Sequence, residues 1–146
     1  MVSRTVSPTG SYLVDVPSDA HEDVDGEVVS FWGPEGDVLL QLSSYRRDVG
    51  DQVSASQRLA ARLGRNDLNG VAVESVAIPD CPDVAAAIGE DSEGTHWLYV
   101  YAVWEDLTVF ATVSASSVVA IRSSWGMESL RSLSRKGKEM GSGPDF

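Results

Sequence analysis

The alternation of apolar and polar side chains predicts a β-hairpin in the second half of the chain. The runs 95–104 and 107–113 consist mainly of aromatic, β-branched and threonine residues, which are enriched in strands. Only Glu105 and Asp106 separate them, which indicates an antiparallel hairpin with a two-residue loop. We call this pair of strands the central hairpin.

A two-residue loop assigns each side chain of the central hairpin to one of two faces, because side chains alternate with a period of two. One face is wholly apolar and is expected to belong to the core; it consists of Leu98, Val100, Ala102, Trp104, Leu107, Val109, Ala111 and Val113. The other carries aromatic rings with polar tips; it consists of Trp97, Tyr99, Tyr101, Val103, Thr108, Phe110 and Thr112. This aromatic face needs either a covering helix or a role in binding.

Shorter patterns predict the rest of the sheet. Strands are expected at residues 12–17, 28–32, 37–46, 71–79 and 84–90. The last of these is rich in alanine, which favours helix, but it is short and directly precedes the central hairpin. We therefore predict a strand there. Residues 18–27 between the first two strands are predicted to form a polar loop.

Two helices are expected to cover the sheet. The first spans 54–63, with Ser54 or Ser56 as its cap and Gly64 at its end. Its predicted buried side chains are Val53, Leu59, Ala60 and Leu63. The second spans 118–135 with a kink at Gly126. The predicted fold class is therefore α+β: one antiparallel sheet of about six strands, with helices on it, in a single domain at 1–136. Residues 137–146 are expected to be a flexible tail.

The net negative charge of the chain disfavours some classes of binding partner. Asp and Glu outnumber Lys and Arg by 22 to 11, which gives a formal net charge of −11. Such a surface repels nucleic acid and anionic membranes. It suits a basic partner or a cation, or else serves only solubility or adaptation to high salt. The chain has no long apolar run and a single cysteine, Cys81, so we expect a cytoplasmic protein without a disulfide. The oligomeric state stays open.

The acidity is densest near the N-terminus. Six acidic residues and no Lys or Arg lie between Asp15 and Glu27. If this segment is ordered beside Glu35 and Asp37, it concentrates negative potential at one end of the sheet. The candidate contacts for a basic partner are Asp19, Glu22, Asp23 and Asp25.

Candidate catalytic chemistry is sparse. His21 and His96 lie 75 positions apart and share no short ligand motif, so no metal site is predicted. Acidic neighbours of Cys81 raise the pKa of a thiol, which disfavours a nucleophile there. We predict no catalytic residue, no cofactor and no enzyme activity.

The order of these elements resembles the PsbP-like superfamily. The similarity rests on residues 12–17 (Tyr-Leu-Val-Asp-Val-Pro), 31–36 (Phe-Trp-Gly-Pro-Glu-Gly), the strand 38–45 and the central hairpin, and it spans about 12–133. That superfamily includes the extrinsic photosystem II protein, a Ran-release factor and bacterial secretion-associated chaperone domains. The resemblance implies an α/β/α sandwich and a protein-binding role without catalysis.

Three hypotheses about function follow. The first is a bacterial protein-binding domain, either an immunity protein for a basic toxin or a chaperone that receives an apolar client on Trp97, Tyr99, Tyr101 and Phe110. The second is a small-molecule or metal-binding domain that uses the same aromatic face as a pocket. The third is a hydrolase whose site is assembled from distant residues.

Overall fold

The computed structural model describes residues 2–48 and 50–136. Within them the fold is α+β, with two antiparallel sheets and three short helices. The strands are β1 Ser3–Val6, β2 Tyr12–Pro17, β3 His21–Asp25, β4 Val28–Trp32, β5 Leu39–Arg46, β6 Asn69–Glu74, β7 Asp83–Glu90, β8 His96–Val103, β9 Leu107–Ala115 and β10 Ser134–Arg135. The helices are α1 Ala55–Arg65, α2 Val118–Arg122 and α3 Trp125–Arg131.

The prediction of a single sheet of about six strands is wrong. The large sheet has seven strands in the order β3-β4-β5-β9-β8-β7-β6, and β2 lies in a second sheet of order β1-β2-β10. Neither partner of β2 has a strand pattern that sequence reasoning detects, because β1 is polar and β10 has two residues. The fully buried side chains Tyr12, Val14 and Val16 of β2 face the large sheet's apolar side and extend the core there.

The register predicted for the central hairpin is confirmed. Leu98 pairs with Val113 and Ala102 with Val109, and the Trp104 N–H donates to the Leu107 carbonyl at 2.8 Å. The loop therefore consists of Glu105 and Asp106 alone. All eight residues of the predicted apolar face lie in the larger core cluster. The small sheet, α2 and α3 cover this face, since their buried side chains belong to the same cluster.

Helix α1 covers the aromatic face of the hairpin. Its buried residues Ala55 and Leu59 belong to a second cluster that contains Tyr99 and Tyr101. The helix packs on β7 and β8, which leaves the strands on the β3 side of the large sheet without this cover. Of the two roles considered for the aromatic face, the structure shows the covering helix.

Helix α1 begins with a capping box and buries fewer side chains than predicted. The Ser54 side chain accepts from the Gln57 N–H, and Gln57 bonds back to the Ser54 N–H, which forms a capping box. Val53 precedes the helix and is 42% exposed, and Ala60 faces outward because the helix buries Ala55 and Leu59. Both were predicted as buried, and those predictions are wrong. The helix also continues through Gly64 and ends with Asn66 as its C-cap.

The predicted helix at 118–135 is wrong in its continuity. Two helices occupy residues 118–131, and the break lies at Ser123–Ser124 rather than at Gly126. The end of the predicted helix is also wrong, since Ser134–Arg135 forms β10. The Ser124 hydroxyl donates to the Ile121 carbonyl at 2.7 Å and accepts from the Met127 N–H. Ser124 thereby ends one helix and caps the next, because its hydroxyl bonds to the backbone of both.

Two further boundaries differ from prediction. The expected loop at 18–27 contains β3, an edge strand whose five residues are all exposed and which pairs with β4. The expected strand at 71–79 ends as β6 at Glu74, although Val76 and Ile78 beyond it remain buried. Residues 137–146, predicted as a flexible tail, lie outside the described residues. Among the described helices none is long and apolar enough to cross a membrane.

Candidate binding site at the acidic end of the sheet

Two neighbouring clefts open where β4 turns into β5. Each has a volume of about 350 Å³. The first is lined by Pro17, Asp19, Gly33, Pro34, Glu35, Asp37 and Trp125. The second is lined by Gly36, Asp37, Leu39, Glu93, Gly94, Thr95, Ser114, Ala115 and Ser116. We call the carboxylates of Asp19, Glu35, Asp37 and Glu93 the acidic end of the sheet.

Tight turns and strand register bring this group together. The Gly36 N–H donates to the Gly33 carbonyl at 3.0 Å, and Gly36 has φ +68°, a left-handed conformation that suits glycine. Leu39 pairs with Ser114, which sets the start of β5 beside the end of β9. The turn between β7 and β8 reaches the same end, where the Asp91 carboxylate accepts from the backbone N–H of Glu93 at 2.9 Å.

The charge of the two clefts is uncompensated within the described residues. Neither lining contains a Lys or Arg, and none of the four carboxylates has a hydrogen-bond or ion-pair partner there. Trp125 and two prolines add an apolar wall to the first cleft. A carboxylate group beside an indole ring can hold a cationic side chain, because the guanidinium or ammonium is attracted by both. Among the described residues no three His, Cys, Asp or Glu form a group suited to a metal ion.

The four acidic residues predicted as contacts do not form one patch. Asp19 lines the first cleft of the acidic end. Glu22 lies 3.8 Å from Arg4. Burial of Tyr12 raises the pKa of its hydroxyl above the ordinary value, and the negative charge of Glu22 raises it further. Asp23 and Asp25 lie on exposed β3, in register with Ser30 and Val28 of β4 on the opposite face from Glu22.

The predicted aromatic contacts lie largely beneath α1. The Tyr99 and Tyr101 hydroxyls bond to the Asn66 amide at 2.5 Å and the Arg62 Nε at 3.2 Å. These two tyrosines are buried, so a partner that uses their rings must first displace the helix. Trp97 and Phe110 are half-buried.

Each half-buried ring of this set already has a charged neighbour. The Trp97 indole donates to the Asp91 carboxylate at 2.9 Å, and this bond, with backbone N–H donors, holds the pKa of Asp91 below its ordinary range. The Arg62 guanidinium lies 4.2 Å from the centroid of the Phe110 ring. Both rings therefore already make polar or cation–π contacts within the fold.

The histidines and the cysteine have separate, structural surroundings. His21 stacks on Trp32 at 5.6 Å between centroids, and His96 lies 3.6 Å from Glu90. Cys81 is half-buried, with its thiol directed at the carbonyl oxygens of Asp83 and Val103. Burial raises the pKa of this thiol, which disfavours the reactive thiolate.

Sequence reasoning missed two members of the site. Glu93 belongs to none of the predicted elements, although correct pairing of β5, β9 and β8 would place its turn at the end of the sheet that holds Glu35. Trp125 falls within the predicted helix at 118–135. The Trp125 ring lies beside Gly33, with its Nε1 3.6 Å from the position that a Cβ on Gly33 would occupy. This placement depends on the packing of α3, for which the sequence carries no signal.

Comparison with known proteins gives the fold and no more. No protein-family model matches the chain, and no curated protein does. Among solved structures, a crystal structure from Bacteroides thetaiotaomicron VPI-5482 is similar, with a TM-score of 0.64 at 11% sequence identity. The match covers 95% of this chain and 50% of that chain, so this chain spans half of its length.

Proposed function

We propose that this chain is a non-enzymatic protein-binding domain that takes a basic segment of a partner protein at the acidic end of its sheet. The observation that carries the proposal is the pair of adjoining clefts with four carboxylates and no basic residue in their linings. The resemblance to the PsbP-like superfamily agrees with this role. Helices on both faces of the large sheet are also consistent with an α/β/α sandwich.

The geometry favours a basic partner over an apolar client. A chaperone that received its client on Trp97, Tyr99, Tyr101 and Phe110 would have to open α1, which is held by side-chain hydrogen bonds to both tyrosines. A small-molecule pocket on the same face meets the same obstacle. The acidic end needs no rearrangement, so an immunity protein for a basic toxin is the version we propose.

The first cleft specifies what kind of side chain enters. Its lining sets Asp19, Glu35 and Asp37 around the half-buried ring of Trp125. An arginine can stack its planar guanidinium on an indole while it donates to carboxylates in bidentate fashion. We therefore assign arginine of the partner to this cleft, and expect lysine to bind there more weakly.

A short basic peptide tests the cleft directly. Titration with Gly-Arg-Gly-Arg-Gly is expected to shift the NMR signal of the Trp125 indole N–H, identified by its loss in Trp125→Phe. The double variant Glu35→Gln, Asp37→Asn should weaken binding at least about tenfold, because each lost charge-assisted hydrogen bond contributes about 1.5–3 kcal/mol.

A matched control separates the cleft from net charge. Asp67→Asn with Glu105→Gln removes the same charge from exposed positions outside both clefts. This variant should bind the peptide nearly as the parent does at moderate salt. Equal weakening by both double variants, or an unmoved Trp125 signal at saturating peptide, would contradict the proposal.

A further inference from the structure

A third cleft carries arginines in a protein that is otherwise acidic. It has a volume of about 440 Å³ and lies where β5 ends and the β8–β9 loop begins. Its charged lining consists of Arg46, Arg47, Arg135 and Asp106. The chain has only 11 basic residues in 146 and a net charge of −11. Three arginines in one cleft therefore make it locally basic on an acidic protein. We call this the arginine cleft.

Backbone hydrogen bonds fix the walls of the arginine cleft. The Arg47 N–H donates to the Asp106 carbonyl at 3.0 Å, which ties the end of β5 to the hairpin loop. The Lys136 N–H donates to the Ser11 carbonyl at 3.1 Å and extends the pairing of β10 with β2. The cleft is therefore preformed, which spares a ligand the cost of ordering its walls.

The three arginines have different roles. Arg47 donates to the Trp104 carbonyl at 2.9 Å and to the Asp51 carbonyl at 2.8 Å, and it lies 3.5 Å from the Asp51 carboxylate. It therefore holds the loops, and its charge is already partly paired. Arg135 contacts Asp106 at 2.6 Å through Nη1, which orients its guanidinium. The Arg46 side chain is exposed and makes no hydrogen bond or ion pair within the described residues.

We propose that the arginine cleft binds a small molecule that carries a phosphate monoester. Arg46, Arg47 and Arg135 outnumber Asp106 in the lining, and the Asp51 carboxylate that pairs with Arg47 is shared with Arg58, so a surplus of positive charge remains. A phosphate monoester carries about −1.5 to −2 charges at neutral pH and three acceptor oxygens, which match this surplus and the guanidinium donors. The cleft is also within the range of about 300–1,000 Å³ that small-molecule sites occupy. This site is separate from the acidic end and does not depend on its function.

Titration with inorganic phosphate and with glycerol phosphate, at constant ionic strength, tests the proposal. Backbone amide NMR signals of Ser11, Ser44 and Leu107 are expected to shift saturably with both probes. Arg46→Ala should weaken both at least about tenfold, the size expected for a hydrogen bond to a charged group. Because Arg46 is exposed, the variant should fold, and its thermal midpoint checks this.

Arg131→Ala is the control, since Arg131 is an exposed arginine of α3 outside the cleft. It should leave both affinities unchanged. The proposal is overturned if neither probe gives saturable shifts at these residues, if Arg131→Ala weakens binding as much as Arg46→Ala, or if acetate binds as tightly as phosphate. None of these outcomes depends on whether the basic peptide binds at the acidic end.

Discussion

At the scale of single residues, burial rather than side-chain type decides which positions serve the fold. Tyr99 and Tyr101 carry hydroxyls that suit a binding surface, yet both are buried and bonded to α1. Asp19 is one of four acidic residues that the sequence offers as contacts, but of these four only Asp19 lies in a cleft with Glu35 and Asp37. A residue's chemistry therefore sets what it can bind, and its position in the packed structure determines whether a partner reaches it.

Ala102 tests the register at this scale. It is 1% exposed near the C-terminal end of β8, opposite Val109. Ala102→Asp should abolish folding, because an unpaired buried charge costs several kcal/mol against a total stability of about 5–15 kcal/mol. Circular dichroism and a urea titration measure the loss.

The same change at an exposed strand position supplies the comparison. Ala72 lies in β6 of the same sheet with its side chain exposed. Ala72→Asp should leave a cooperative transition close to that of the parent. If Ala102→Asp unfolds at the parent's urea concentration, the assignment of the apolar face is incorrect.

At the scale of elements, the turn between β7 and β8 depends on one carboxylate. Asp91 accepts from the Trp97 indole at 2.9 Å and from the backbone N–H groups of Glu93 and Thr95. These bonds lower its pKa below the ordinary value of 3.8. The stabilisation is therefore fully present above about pH 4 and is lost as pH falls through the lower pKa of the folded state.

Asp91→Asn is expected to lower the thermal midpoint at neutral pH, because an amide accepts fewer and weaker hydrogen bonds than a carboxylate. The difference from the parent should shrink as pH falls through the lowered pKa of Asp91, because protonation makes the parent's carboxyl neutral like the amide. Asp67→Asn, at an exposed loop position, should show no such pH dependence. A gap that stays constant between pH 7 and 2 would contradict the assigned role.

Elements with a strong local pattern were predicted from the sequence, and elements defined by their partners were not. The central hairpin has a short loop and one purely apolar face, which together permit a single register. In contrast, β1 and β10 are strands only because β2 pairs with them. Likewise β3 has the composition of a loop, and pairing with β4 makes it a strand. The acidic end was predicted in part because Asp19, Glu35 and Asp37 flank predicted strands, whereas Trp125 arrives through tertiary packing.

At the scale of the whole molecule, β5 separates two sites of opposite charge. Leu39 at its start lines the second cleft of the acidic end, and Arg46 at its last position lines the arginine cleft. Eight strand residues span about 23 Å at 3.3 Å per residue, which exceeds the Debye length of about 8 Å at physiological salt. The two sites are thus screened from one another, and each is expected to bind its ligand without strong coupling to the other.

The N-terminal acidic residues are expected to affect the rate at which a basic partner associates. Glu22, Asp23 and Asp25 lie outside both clefts of the acidic end, so we expect them to attract the proposed basic partner at long range rather than to contact it in the clefts. Neutralising them together with Asp19 should slow association with the partner recovered at low salt much more than it speeds dissociation. The Glu35→Gln, Asp37→Asn variant should instead mainly speed dissociation, because those side chains line the cleft. Stopped-flow kinetics at two ionic strengths measure both rates. An association rate that the four substitutions leave unchanged would assign this charge to solubility alone.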